Sequence, residues 1–160
     1  MYFYIKVAQS ILLLFIFATS CNQQQMSNQT TIHAIRLKPG EDLKGAIEKL
    51  VKEKNIEAGW ISTCVGSLTK YNLRFANQQD GSIRDGHFEI VSLTGTVSIN
   101  GSHLHLAVSD STGATIGGHL MEGNIIYTTA ELVITFTDKY EFTRAKDGTT
   151  QWEELQIKEK

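Results

Sequence analysis

Three of the chain's five histidines fall within seventeen residues, at His103, His105 and His119. In Ser102–Ser109 the alternation is strict, so Leu104, Leu106 and Val108 share one face of a strand while His103, His105 and Ala107 share the other. An H-x-H pair on a strand sets two imidazoles side by side, a common way to supply two metal ligands. The place of His119 depends on the intervening hairpin. A two-residue turn within Asp110–Gly113 would pair His119 with Leu104, on the wrong face. A three-residue loop, Ser111-Thr112-Gly113, pairs Asp110 with Ala114 and so His105 with His119. That loop ends in a left-handed residue, a position glycine prefers, and Gly113 occupies it. The longer loop is therefore expected, with Gly117-Gly118 allowing close backbone approach.

Three neutral imidazoles with one open position form the pattern of a reactive zinc site. Imidazole also suits nickel, copper and iron, so zinc is the expected divalent metal without the sequence fixing it. H-x-H pairs also occur on ordinary half-exposed strands, and the competing reading is a set of hydrogen-bonded histidines at a polar subunit interface. His33 and His87 lie elsewhere and are expected at the surface or an interface.

No general base obviously accompanies the cluster, and no catalytic residue is assigned. Glu122 follows His119 by three residues, while Glu131 sits in the apolar strand Ala130–Phe136 and needs a partner there. Glu131 is thus a candidate to orient a histidine ligand, or to pair with Arg36 or Arg74; the structural pairing is favoured. Cys64, within the apolar run Trp60–Val65, reads as a small buried hydrophobe.

The 160 residues suit one domain; 41% are hydrophobic and 20% charged, enough to bury a core. Fifteen Lys+Arg against seventeen Asp+Glu leave a net charge of −2, without the basic patch expected of a phosphate-gripping surface. Nucleic acid is therefore not an expected partner. No dinucleotide-binding glycine pattern, P-loop or nucleophile elbow occurs.

Residues 1–20 read as an export signal. Lys6 precedes the apolar run Ile11–Ala18, and Thr19-Ser20-Cys21 follows at once. The run is too short to span a membrane, and its end resembles a bacterial lipobox, with Cys21 lipidated. Ala18 departs from the usual Leu, and a plain secretory signal is the alternative. Residues 21–30 form a polar tether. The mature chain is expected at the bacterial cell envelope, held to a membrane through its lipid.

The elements that must position the histidines follow. Thr31–Leu37 reads as a strand before Lys38-Pro39-Gly40. In Glu41–Ile56, Leu43, Ile47, Leu50 and Val51 form one apolar stripe of a helix. Strands are expected at Gly59–Ser67, Tyr71–Ala76, His87–Leu93, Thr94–Ile99, Ser102–Ser109, Ala114–Leu120, Ile125–Phe136 and Tyr140–Arg144, separated by turn signals such as Asp85-Gly86 and Gly123-Asn124. Residues 147–160 read as a polar C-terminal tail. One helix with seven or eight strands means an α+β fold, a mostly antiparallel sheet or barrel under a single main helix.

Arg36-Leu37-Lys38-Pro39-Gly40-Glu41-Asp42-Leu43, Gly86–Val97 (GHFEIVSLTGTV), His103-Leu104-His105 and Gly117-Gly118-His119-Leu120 together resemble the plant-and-prokaryote-conserved (PPC, or PCC) domain, from about Thr31 to Phe142 and with a domain span of 31–146. That resemblance implies a compact α+β unit assembling as a homotrimer. Its G-x-F-E-I-x-S-L-x-G stretch, tied in plant relatives to contacts between PPC proteins, marks Gly86, Phe88, Glu89, Ile90, Ser92, Leu93 and Gly95. Prokaryotic members often retain the histidines matching His103, His105 and His119, and some are similar to metal-containing proteins. The AT-hook of plant members has no counterpart here, so DNA binding would rest on analogy. The expected function is that of a trimeric metal-binding protein with a binding or regulatory role. A DNA-binding regulator and a metal-dependent hydrolase or lyase are the alternatives; enzymatic activity is left open and not favoured.

Overall fold

The computed structural model describes residues 29–160; the export signal, Cys21 and nearly all of the tether lie outside the described residues. The elements run β1 (Thr30–Leu37), α1 (Leu43–Glu53), β2 (Gly59–Arg74), β3 (Ser82–Val97), β4 (His103–Ser109), β5 (Thr115–Leu120), β6 (Ile125–Thr137), β7 (Tyr140–Ala145) and β8 (Glu154–Glu159). Six strands form one antiparallel sheet in the order β1-β6-β2-β3-β4-β5, while β7 and β8 form a separate hairpin. The last residues of β2 also pair with β5, which curls β2 through β5 into a barrel-like ring. The fold is α+β, as expected. Among the described residues no helix is long and apolar enough to cross a membrane.

The helix is shorter than the expected span 41–56, because Asp42 caps its start and Lys54, followed by Asn55 with φ 50°, ends it. One carboxylate oxygen of Asp42 accepts from Gly45 N at 2.7 Å and the other from Gly123 N at 2.6 Å. A single side chain thus starts α1 and ties it to the loop before β6. Leu43, Ile47, Leu50 and Val51 are all buried and meet Leu68, Leu106, Leu120, Ile126, Leu132 and Ile134 from the sheet. Burying each such side chain contributes about 1.5–3 kcal/mol.

Three sequence expectations are corrected. The gap expected between Ser67 and Tyr71 is a register shift inside the sixteen-residue β2, and Asp85-Gly86 lies within β3 rather than at a turn. A bulge bends a strand without ending it, so turn-like residues there mark curvature. The segment 147–160 is more than a tail: Leu155 pairs with Arg144 and Ile157 with Phe142 in the β7–β8 hairpin. Its charges masked the alternation of Leu155 and Ile157.

The motif that the resemblance links to contacts between copies divides between the two faces of β3. Phe88, Ile90 and Leu93 are buried inside the protomer, and Phe88 meets Tyr71 edge-on with ring centroids 4.8 Å apart. Glu89 and Ser92 face outward. Alternation along β3 requires this division, since one face must fill the core. Phe88→Ala is expected to lower the unfolding free energy by about 3–5 kcal/mol in urea titrations. A loss under ~1 kcal/mol would show that the ring is not packed as described.

Candidate metal centre

The β4–β5 hairpin closes through the three-residue loop. Asp110 N donates to Ala114 O at 3.0 Å, Gly113 N donates to Asp110 O at 2.9 Å, and Gly113 has φ 82°. The Asp110 carboxylate also accepts from Thr112 N at 2.9 Å and Thr112 Oγ1 at 2.6 Å. These bonds hold its carboxyl below the usual range. With that loop fixed, His105 pairs directly with His119. Leu104, Leu106 and Val108 fill the core, leaving His103 and His105 on the outer face.

His119 joins them from the ring closure. It pairs with His105 on one side and with Arg74, the last residue of β2, on the other. The approach of β2 needs a glycine beside it: a Cβ on Gly118 would lie 2.8 Å from the Arg74 carbonyl oxygen. Ring centroids are 4.9 Å apart for His103 and His105, 5.1 Å for His103 and His119, and 5.7 Å for His105 and His119. One nitrogen from each lies within 4.8 Å of the other two. His103 Nε2 and His105 Nε2 stand 3.2 Å apart, close to the ~3.3 Å between two nitrogens on a tetrahedral zinc with Zn–N about 2.0–2.1 Å.

His119 Nδ1 is buried and has no hydrogen-bond partner among the described residues. Burial first, then the charges of Arg74, His103, His105 and Lys44, push this imidazole down to about 4. Burial also lowers His103, helped by His105 and Arg144 and opposed by Glu154. The fold therefore holds neutral imidazoles, the form that ligates metal. His119 Nδ1 is left without the partner that a buried polar atom normally has, while His103 and His105 stand at hydrogen-bond distance from each other.

Two clefts flank the cluster. One, of about 400 Å³, lies beside His105 and His119 between Phe75 and Leu106. The other, of about 590 Å³, runs from His103 and His119 to the β7–β8 hairpin and includes Arg74, Arg144 and Trp152. Arg144 Nη2 donates to Thr96 Oγ1 at 3.0 Å, and Arg74 lies over the Trp152 ring at 5.4 Å from its centroid.

Glu131 has no part in this centre. It is exposed on β6 opposite Arg36 and Val65, and nine residues of β2, roughly 30 Å of strand, separate Val65 from Arg74 beside His119. Its register partner Arg36 matches the favoured structural pairing in position, although Arg36 Nε donates to Thr129 Oγ1 instead. No carboxylate of the described residues joins the three histidines. His33 is half-buried on β1, and the exposed His87 lies against Tyr127 with centroids 4.3 Å apart. Sequence reasoning named Arg74 only as a partner for Glu131 and passed over Arg144 and Trp152. Nothing local marks them, because the β2–β5 closure and the C-terminal hairpin bring them in from afar.

Fold and site together define a small α+β unit whose antiparallel sheet curls on itself and carries a three-histidine cluster at the closure. The family model of the Plants and Prokaryotes Conserved (PCC) domain matches residues 24–138, and the chain belongs to that family. A hypothetical protein from Salmonella cholerae-suis is 38% identical and superposes with a TM-score of 0.81, over 83% of this chain and 96% of that one. At 24% identity the likeness is of fold alone. It extends to a Bacteroides thetaiotaomicron protein whose name proposes DNA binding (TM-score 0.70, 82% of this chain and 94% of that one). It extends also to a metal-containing protein from Archaeoglobus fulgidus (TM-score 0.68, 81% and 96%). The bifunctional protein GlmU of a Synechococcus strain is 42% identical over 126 residues, 79% of this chain. The chain spans about a fifth of the length of the curated relatives it matches.

The lowered His119 has a consequence for metal-free protein. Above its ordinary pKa of ~6.5 the ring is neutral whether folded or unfolded, so stability is full. As pH falls toward about 4 the unfolded chain takes up the proton first and stability declines. Urea midpoints in EDTA at pH 7.5 and 5.0 are expected to differ less in His119→Gln than in the parent. An unchanged difference would show that His119 protonates freely in the fold.

Proposed function

We propose that this chain is a trimeric metal-binding protein of the bacterial cell envelope, anchored through lipid on Cys21, with a binding or regulatory role. The observation that carries the metal is the convergence of His103, His105 and His119, with ligand nitrogens within 4.8 Å and His119 Nδ1 buried without a partner. The name of the Archaeoglobus fulgidus structure supports the same reading. Zinc, held by these three imidazoles, would supply a Lewis-acidic position open to a fourth ligand.

Assembly is supported by the outer face of the sheet. Gly66 pairs with Ile90, which puts Val65 opposite Val91, and both side chains point outward, 54% and 56% exposed. Adjacent exposed valines on two central strands form an apolar spot that a second copy would cover. The DNA-binding reading has in its favour the name of the Bacteroides thetaiotaomicron structure; the net charge of −2 weighs against it.

Untagged protein from Asn22 to Lys160 is expected to carry about one transition metal per chain by elemental analysis, at a light-scattering mass of a trimer. His105→Ala or His119→Ala should lose the metal and keep the mass, whereas Val91→Asp should lower the mass and keep the metal. Full metal in either histidine variant would refute the site, and a trimer mass in Val91→Asp would refute the interface. For the anchor, Cys21→Ser is expected to move the protein from the membrane fraction to the soluble fraction. Its retention in the membrane fraction would refute lipidation at that residue.

A further inference from the structure

The β7–β8 hairpin, which follows the end of the family match at residue 138, is fastened beside the histidines. Ser98 Oγ and Asn100 Nδ2 donate to Phe142 O at 2.8 and 3.1 Å, and Phe142 N donates to Glu57 O at 2.9 Å. Arg144 Nη2 donates to Thr96 Oγ1, and Thr96 is the register partner of His103. These bonds fix the place of the hairpin's charged residues relative to the cluster. Glu154 opens β8 opposite Ala145. It lines both the cleft of about 590 Å³ and a smaller one of about 290 Å³ that includes His103 and His105.

No ion pair within 4.0 Å among the described residues engages Glu154, since each of those pairs joins a lysine to another acid. Its Oε1 accepts from Thr150 Oγ1, a neutral donor, at 2.5 Å. Around it in the larger cleft stand the cations Arg74, Arg144 and Lys146 and one further acid, Glu153. Glu153 is exposed and lines only that cleft, whereas Glu154 is half-buried and lines both. A charge partly withdrawn from water is less screened, so Glu154 acts more strongly on its surroundings. Burial first, then His105, Arg144 and Arg74, disfavour a positive charge at His103, and Glu154 alone opposes them. Glu154 likewise supports the Arg144 cation, which burial disfavours.

We propose that Glu154 is the counter-charge of the metal centre, offsetting Arg74 and Arg144 through space and so raising the affinity of the three histidines for zinc. It acts from outside the ligand set, since no acidic oxygen of the described residues joins the three imidazole nitrogens. A dication feels a given field twice as strongly as a singly charged imidazolium does, so what Glu154 does at His103 it does more strongly to the metal. The proposal rests on the metal-site reading and names what tunes that site. Neutral imidazoles supply the bonds, and one carboxylate on a separate hairpin supplies the charge.

Zinc affinity of the full chain purified in detergent, measured by competition with a chromophoric chelator, tests this. At low salt Glu154→Gln is expected to bind zinc about tenfold more weakly than the parent. At about 0.5 M salt, where charges are screened within about 4 Å, the gap should shrink to under about threefold. Arg144→Gln should shift the affinity the other way, a reversal that a loosened hairpin would not produce. Glu131→Gln, far from the cluster, should bind zinc like the parent. The visible spectrum of cobalt(II)-saturated Glu154→Gln should match that of the cobalt-loaded parent. Equal zinc affinity in parent and Glu154→Gln at low salt would overturn the proposal, as would a loss that high salt leaves intact or an Arg144→Gln that binds no tighter. An altered cobalt spectrum would make Glu154 a ligand and overturn the through-space role. If the parent takes up no zinc at all, the metal-site reading falls as well.

Discussion

The site depends on the pairing of β5 with two strands at once. On one side the β4–β5 hairpin sets His119 opposite His105, and on the other the closure of the ring sets it opposite Arg74. A slip of one residue in the hairpin would turn His119 to the opposite face of the sheet, because side chains alternate along a strand. Gly113 with φ 82° and the Asp110 carboxylate fix the loop, and Gly118 lets β2 close against it. The histidines are therefore placed by backbone hydrogen bonding and turn chemistry.

That explains why this part of the site was legible in the sequence. The alternation in Ser102–Ser109, the glycine at position 113 and the spacing to His119 are all local, and local rules suffice to choose the register. The helix was equally legible, since Leu43, Ile47, Leu50 and Val51 needed only the helical period. Its start was misplaced by two residues because the Asp42 cap also reaches Gly123, a contact across 81 residues.

What escaped the sequence is nonlocal or doubly purposed. Arg74 meets His119 only through ring closure, and Arg144 reaches His103 only because β7 folds back beside the ring. The charged residues of 147–160 concealed a strand whose apolar positions, Leu155 and Ile157, are two apart. Phe88 belongs to a motif that the family resemblance links to assembly, yet β3 alternation sends it into the protomer core. Motif membership left open which face of the strand each residue occupies. Glu131 fails for a related reason: its strand borders β1 and β2, and the long axis of β2 separates it from the histidines.

The electrostatics of the closure constrain what the site can hold. Burial and neighbouring cations keep His119 and His103 neutral, which suits ligation, yet the same cations repel a metal dication. Glu153 and Glu154 line the same cleft as Arg74 and Arg144, and Glu154 opposes the neighbouring cations at both His103 and Arg144. The cluster thus lies between opposing charges, and removing Glu154 would deepen the repulsion that a metal dication meets there.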